Sequence, residues 1–130
     1  MNYGISITLP DDFDAAMPKV IEALAEQGFG VLTEIDMATT LKKKLDVQIA
    51  PHVILGACNP PLAYRAVQAE ESIGLLLPCN VVVRSGDGGT VVEALDPQVM
   101  VGVTGNEELT GVADEASTRL RAALQSLQAQ

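Results

Sequence analysis

The sequence predicts an α+β fold in two layers: a mixed, mostly antiparallel sheet of five or six strands, covered on one face by long N- and C-terminal helices. Three observations carry that expectation. Tyr3 to Leu9 alternates, with Tyr3, Ile5, Ile7 and Leu9 on one side and Gly4, Ser6 and Thr8 on the other, the period of a half-buried strand. Apolar residues then recur at helical spacing near both ends, first Phe13, Met17, Val20, Ile21 and Leu24, and finally Leu109, Val112, Ala113, Ala116, Leu120, Ala123, Leu124 and Leu127. Between them lie the runs VILGA, IGLLLP and NVVV, apolar at consecutive positions as in strands buried on both faces.

Taken in order, Pro10 ends the first strand and Asp11-Asp12 cap the first helix, which bends at Pro18 and stops at Gly28. Gly30 to Ile35 is a second strand. Asp36 then caps a short helix with Leu41 and Leu45 as its inward pair. Val53 to Gly56 is the third strand, and Asn59-Pro60 opens a helix to about Glu70 that buries Leu62, Ala63, Ala66 and Val67, since Asn suits the cap and Pro the first helical position. Ile73 to Leu77 and Cys79 to Arg84 are further apolar strands. SGDGG turns the chain into a hairpin partner at Thr90 to Leu95, and Asp96-Pro97 breaks it. Val99 to Val103 is a short edge strand or an extended link, and Asn106 caps the last helix.

At 130 residues the chain is expected to be one domain, 1–130, with a single sizeable core. That core is aliphatic, because Tyr3, Phe13, Phe29 and Tyr64 are the full aromatic set. A net charge of −9 speaks against a nucleic-acid surface, and Lys42-Lys43-Lys44 is most simply a solvated helix. The start has no basic-then-apolar leader and no apolar run is long enough to span a bilayer, so no membrane association and a cytoplasmic location are expected, with both cysteines as reduced thiols. The doubly apolar strands need cover on the face that the helices leave open. A second copy of the chain is the simplest cover, ahead of a hydrophobic ligand cavity or the remaining short helices, so a homodimer is expected.

Chemistry concentrates between Pro51 and Arg84, which hold both cysteines, the sole histidine and a repeated Cys-Asn dipeptide, Cys58-Asn59 and Cys79-Asn80. The segment ILGACNPPLAYRA followed by IGLLLPCNVVVR resembles the bacterial and archaeal family catalogued as Domain of Unknown Function 302. GFGVLTEID, the Gly-rich turn, VVEALDP and the closing helix extend the resemblance over nearly the whole length. It implies a fold of the TATA-binding-protein-like type with additional helices, usually in dimers, and it brings no mechanism, because the family's activity is not established. One departure stands at Asp46, after KKKL, where a glycine is expected.

Cys58 lies at a strand end just before a helix N-terminus, where amide donors and the helix dipole favour a thiolate. Cys79 opens a neighbouring strand. If the two strands adjoin, both sulfurs reach one pocket; the plainer alternative is two small buried apolar residues. The leading expectation is a homodimeric binding module with a small polar pocket that takes a small molecule or a metal ion, with Cys58, Asn59, Cys79, Asn80 and Arg84 as ligand-binding residues. Cys58 and Cys79 are the possible metal donors, with His52 and Asp36 or Glu34 the only residues that would enlarge the set toward the four ligands of a structural zinc site. The rival is a thiol enzyme or redox carrier, with Cys58 as nucleophile, Cys79 as resolving thiol and His52 as base. A purely structural interaction domain is the third. Plainer roles are open for His52 as a strand-entry residue, for Asn59 as a cap, for Asn80 as a strand-end hydrogen bonder, for Arg84 as the partner of Glu93, and for Asp96 as a turn residue.

Overall fold

The computed structural model describes all 130 residues. Five strands form one sheet: β1 (Gly4–Leu9), β2 (Gly30–Asp36), β3 (His52–Cys58), β4 (Cys79–Gly86) and β5 (Gly89–Leu95). Their order is β1-β5-β4-β3-β2, and every neighbouring pair is antiparallel, so the parallel component of the expected mixed sheet is absent. Five helices accompany it: α1 (Phe13–Glu26), α2 (Met37–Leu45), α3 (Pro60–Ala69), α4 (Gln98–Thr104) and α5 (Thr110–Gln128).

Local chemistry sets the ends of these elements. Asp12 caps α1 by accepting the Ala15 N–H at 2.8 Å. At the other end Gly28 takes φ 83°, and the Phe29 N–H reaches back to the Leu24 carbonyl at 2.9 Å, the left-handed stop that glycine permits. Asp36 caps α2 through the Thr39 N–H. That helix stops at Leu45 because Asp46 itself adopts the left-handed conformation, φ 53°, with Lys42 Nζ against its carboxylate at 2.6 Å. Aspartate fills the place expected of glycine.

Two cores result. The larger joins α1 and the C-terminal half of α5 to one sheet face, where Val53, Leu55, Val81, Val83 and Val92 meet Val20, Leu24, Leu120 and Leu124. Each such fully buried aliphatic side chain stabilises by about 1.5–3 kcal/mol. The smaller core joins α3, α4 and the N-terminal half of α5 through Leu62, Ala66, Ile73, Met100, Leu109 and Val112. At 19 residues α5 is ~28 Å long and serves both.

Several sequence expectations are corrected. Ile73 to Leu77 is not a strand: Glu71–Leu76 is a 3-10 helix that buries Ile73 in the smaller core and leaves Leu75 87% exposed. Val99 to Val103 is neither edge strand nor link but lies in α4, just ahead of which Asp96 Oδ1 accepts the Gln98 N–H at 3.0 Å. Leu41 and Leu45 are no inward pair, since α2 buries no residue. Val67 on α3 and Tyr3 ahead of β1 are exposed. Asn106 caps a 3-10 turn, Glu107–Leu109, that leads into α5, and not α5 itself.

Candidate functional site

The start of α3 is built from consecutive residues with distinct tasks. β3 ends at Cys58, and Asn59 accepts the Leu62 N–H on Oδ1 at 3.2 Å. The Ala63 N–H goes to the Asn59 carbonyl at 2.9 Å, while Pro60 and Pro61 have no N–H to give. The first turn therefore has no spare amide for a Cys58 thiolate. The expected amide donors are consumed by the cap, and the helix dipole alone remains.

The strand register brings the two Cys-Asn corners together. Ala57 stands opposite Cys79 across β3 and β4, which puts Cys58 one residue beyond that pair, a rise of ~3.3 Å. Gly56, also buried, pairs with Asn80. A Cβ at Gly56 would meet Thr33 Oγ1 and, at 2.8 Å, the Pro78 ring, so only glycine lets β2 and the Pro78 corner close over this part of β3.

Cys58, Asn59 and Cys79 line one cavity of about 250 Å³ at the seam between the two cores. Phe29 and Ala57 contribute from the sheet side, and Leu62, Met100 and Ala116 from the helical side. Leu32 stands at the rim, 68% exposed. Asn59 is the only wall residue whose side chain contains nitrogen or oxygen, so the space is apolar where a polar pocket was expected. Both cysteines are free thiols. Burial, and then the charge of nearby Cys58, push the Cys79 thiol up to about 11.

The other singled-out residues lie elsewhere. His52 begins the strand that Cys58 ends, so six residue rises, ~20 Å, separate them. Asn80 and Arg84 alternate with the core residues Val81 and Val83 and face the opposite side of the sheet, in a separate surface hollow shared with Tyr3, Glu93 and Leu95. There Arg84 Nε donates to Glu93 Oε1 at 3.1 Å, the cross-hairpin pair that the sequence offered as its plainer role. Glu34 and Asp36 pair with Leu55 and Val53, toward the far end of β3 from Cys58. No group of three or more His, Cys, Asp or Glu side chains converges anywhere in the chain.

Phe29, Leu62, Met100, Val112 and Ala116 were not singled out from the sequence, although they form much of the cavity wall. In the sequence Leu62, Val112 and Ala116 belong to ordinary helical stripes, and Met100 lay in a stretch read as extended. Nothing local to any of them marks a wall.

Comparison with known proteins agrees with this architecture. The family model described as "Domain of unknown function DUF302" matches residues 5–127. A crystal structure of an uncharacterized conserved DUF302 protein from Bacillus stearothermophilus superposes with a TM-score of 0.89 at 28% sequence identity, covering 96% of this chain and 98% of that one. No curated protein matches the sequence. With 123 matched positions and the same fold in a solved member, the chain belongs to the DUF302 family.

Proposed function

We propose that the chain is a non-catalytic binding module, a single domain acting as a homodimer, whose site is the cavity beside Cys58, Asn59 and Cys79. The observation that carries the proposal is that cavity: about 250 Å³, apolar, placed at the seam between two cores and reached past an exposed leucine. An apolar cavity of ~150 Å³ suffices for benzene, so on that scale this one takes a small molecule of about ten non-hydrogen atoms.

The surroundings of the thiols favour binding over thiol chemistry. Cys79 is held protonated by its burial, the α3 amides are already bonded, and His52 stands ~20 Å from Cys58. A small molecule is also favoured over a metal ion. Two thiols fall short of the three or four protein ligands that zinc takes, and deprotonating Cys79 works against its surroundings.

The homodimer rests on the sheet face turned away from the helices. Ile54, Val82 and Val91 are half-buried there, and Ile35 beside them is 48% exposed. Sedimentation equilibrium tests it: a dimer that Val91→Lys converts to monomer supports the proposal, and a monomer at all concentrations contradicts it.

Cavity binding is tested with uncharged apolar probes followed by saturation-transfer NMR. Ala116 is buried in the wall, and leucine there fills the space. The wild type is expected to bind and Ala116→Leu to lose at least tenfold in affinity while remaining folded. Equal binding by both would refute the cavity as the site.

A further inference from the structure

Two groups of exposed apolar side chains stand at opposite ends of the sheet, and they carry opposite charge. β2 ends at Asp36 and β3 begins at His52, so α2 and the residues up to Pro51 form an arm at one end. α2 buries no residue, and Leu45, 67% exposed, is followed by Val47 and Ile49, which are exposed as well. Lys43 and Lys44 stand beside them. The chain has eight Lys and Arg residues; the others all meet a carboxylate within it, and these two alone do not.

At the other end β3 finishes at Cys58, β5 at Leu95, and β4 starts at Cys79. There α3, α4 and the 3-10 segments Glu71–Leu76 and Glu107–Leu109 form a lobe whose surface shows Val67, Leu75 and Val103. Asn106 Nδ2 donates to Glu70 Oε1 at 3.1 Å and ties the end of α3 to the turn before α5. Glu70, Glu71, Glu107 and Glu108 flank that joint, and no Lys or Arg pairs with any of them.

Arm and lobe cannot meet within one chain, because the ~20 Å length of β3 separates them. An exposed apolar helix with two unpaired cations, on a chain of net charge −9, is matched by an acidic apolar surface, and the chain itself presents one. Resting on the homodimer already proposed, we infer that its two copies lie antiparallel and that the arm of each docks on the lobe of the other, lysines against carboxylates and Leu45 against the lobe's apolar surface. A two-fold axis makes this contact twice and closes the pair. Parallel copies would set arm beside arm, with lysine facing lysine.

Charge reversal at both places tests this by sedimentation equilibrium at low salt. Lys43→Glu with Lys44→Glu reverses the arm, and Glu107→Lys with Glu108→Lys reverses the lobe; all four side chains are exposed, and urea midpoints check that both variants fold. Glu71→Lys replaces the lobe variant if that one unfolds. Each variant alone is expected to dimerise about tenfold more weakly than the wild type, a difference that shrinks in high salt. An equimolar mixture should regain the wild-type affinity, because both contacts of the mixed pair then join opposite charges. Wild-type dimerisation by both variants, or a mixture no tighter than its components, overturns the docking, and the sheet-face dimer stands without it if Val91→Lys still gives monomer. Binding to phosphatidylglycerol vesicles that the arm variant alone loses, with dimerisation unchanged, assigns the arm to a membrane instead. A wild type that is monomeric at all concentrations overturns the homodimer and this inference together.

Discussion

The Asn59 side-chain oxygen holds the Leu62 amide at 3.2 Å, and this bond starts α3 and, with Pro60, Pro61 and the Ala63 N–H bonded to the Asn59 carbonyl, leaves its first turn no amide for an anion. Asn59→Ala is therefore expected to destabilise the fold by about 1–2 kcal/mol in urea denaturation, with Asn59→Asp and Asn59→Ser near neutral. A cost as large for aspartate as for alanine would mean that the cap is not what Asn59 supplies.

Cys79 links stability to alkaline pH. Its folded pKa of about 11 lies above the ordinary thiol value of 9.0, so between those values the unfolded chain has lost a proton that the folded chain keeps. Unfolding then binds fewer protons, and stability falls as pH rises. The contribution is fully present below pH 9 and is lost between about 9 and 11, at most ~2.7 kcal/mol from a two-unit shift. Denaturation midpoints followed from pH 8 to 11 should drop more steeply for the wild type than for Cys79→Ala. Parallel curves would contradict the burial of this thiol.

Gly56 is constrained by contact and not by backbone conformation. Gly56→Ala drives a methyl group against Thr33 and Pro78, and a loss of about 1–3 kcal/mol is expected by thermal or chemical denaturation. An unchanged midpoint would show that β2 and the Pro78 corner can move apart freely.

At Asp46 the sign reverses. A non-glycine residue there holds φ 53°, so Asp46→Gly should raise stability by a few tenths of a kcal/mol, even after losing the exposed Lys42 contact. A clear decrease would assign the stop to the ion pair.

Glu115 bridges Arg65 on α3, at 3.2 Å, and Arg119 on α5, at 3.1 Å. All three side chains are substantially exposed, so Glu115→Gln is expected to cost under ~1 kcal/mol at moderate salt. A larger loss would make this clasp a principal tie between the helices.

Much of the fold is legible in the sequence where periodicity and caps agree. Every residue of the C-terminal stripe, Leu109 in the 3-10 turn and Val112 to Leu127 in α5, is buried, and Asp12, Asp36 and Asn59 all cap where their side chains suggested. The Ile73 and Val99 segments differ from expectation for one physical reason: a short apolar run has no period of its own, and a helix that buries only Ile73 or Met100 accommodates it as well as a sheet does. The Cys58, Asn59 and Cys79 corner was legible as a meeting of adjoining strands. Its apolar character was not, because Met100, Val112 and Ala116 reach it through tertiary packing from more than 20 residues beyond Cys79. Asn80 and Arg84 illustrate the strand period acting within a motif, since adjacent residues Cys79 and Asn80 face opposite sides of the sheet.

The most direct test of the cavity is a crystal of the protein pressurised with xenon, an apolar atom that reports dry, accessible space. The account predicts a xenon peak between Cys58, Cys79 and Met100 that Ala116→Leu removes. A cavity filled by ordered water instead, with no xenon in the wild type, would contradict it.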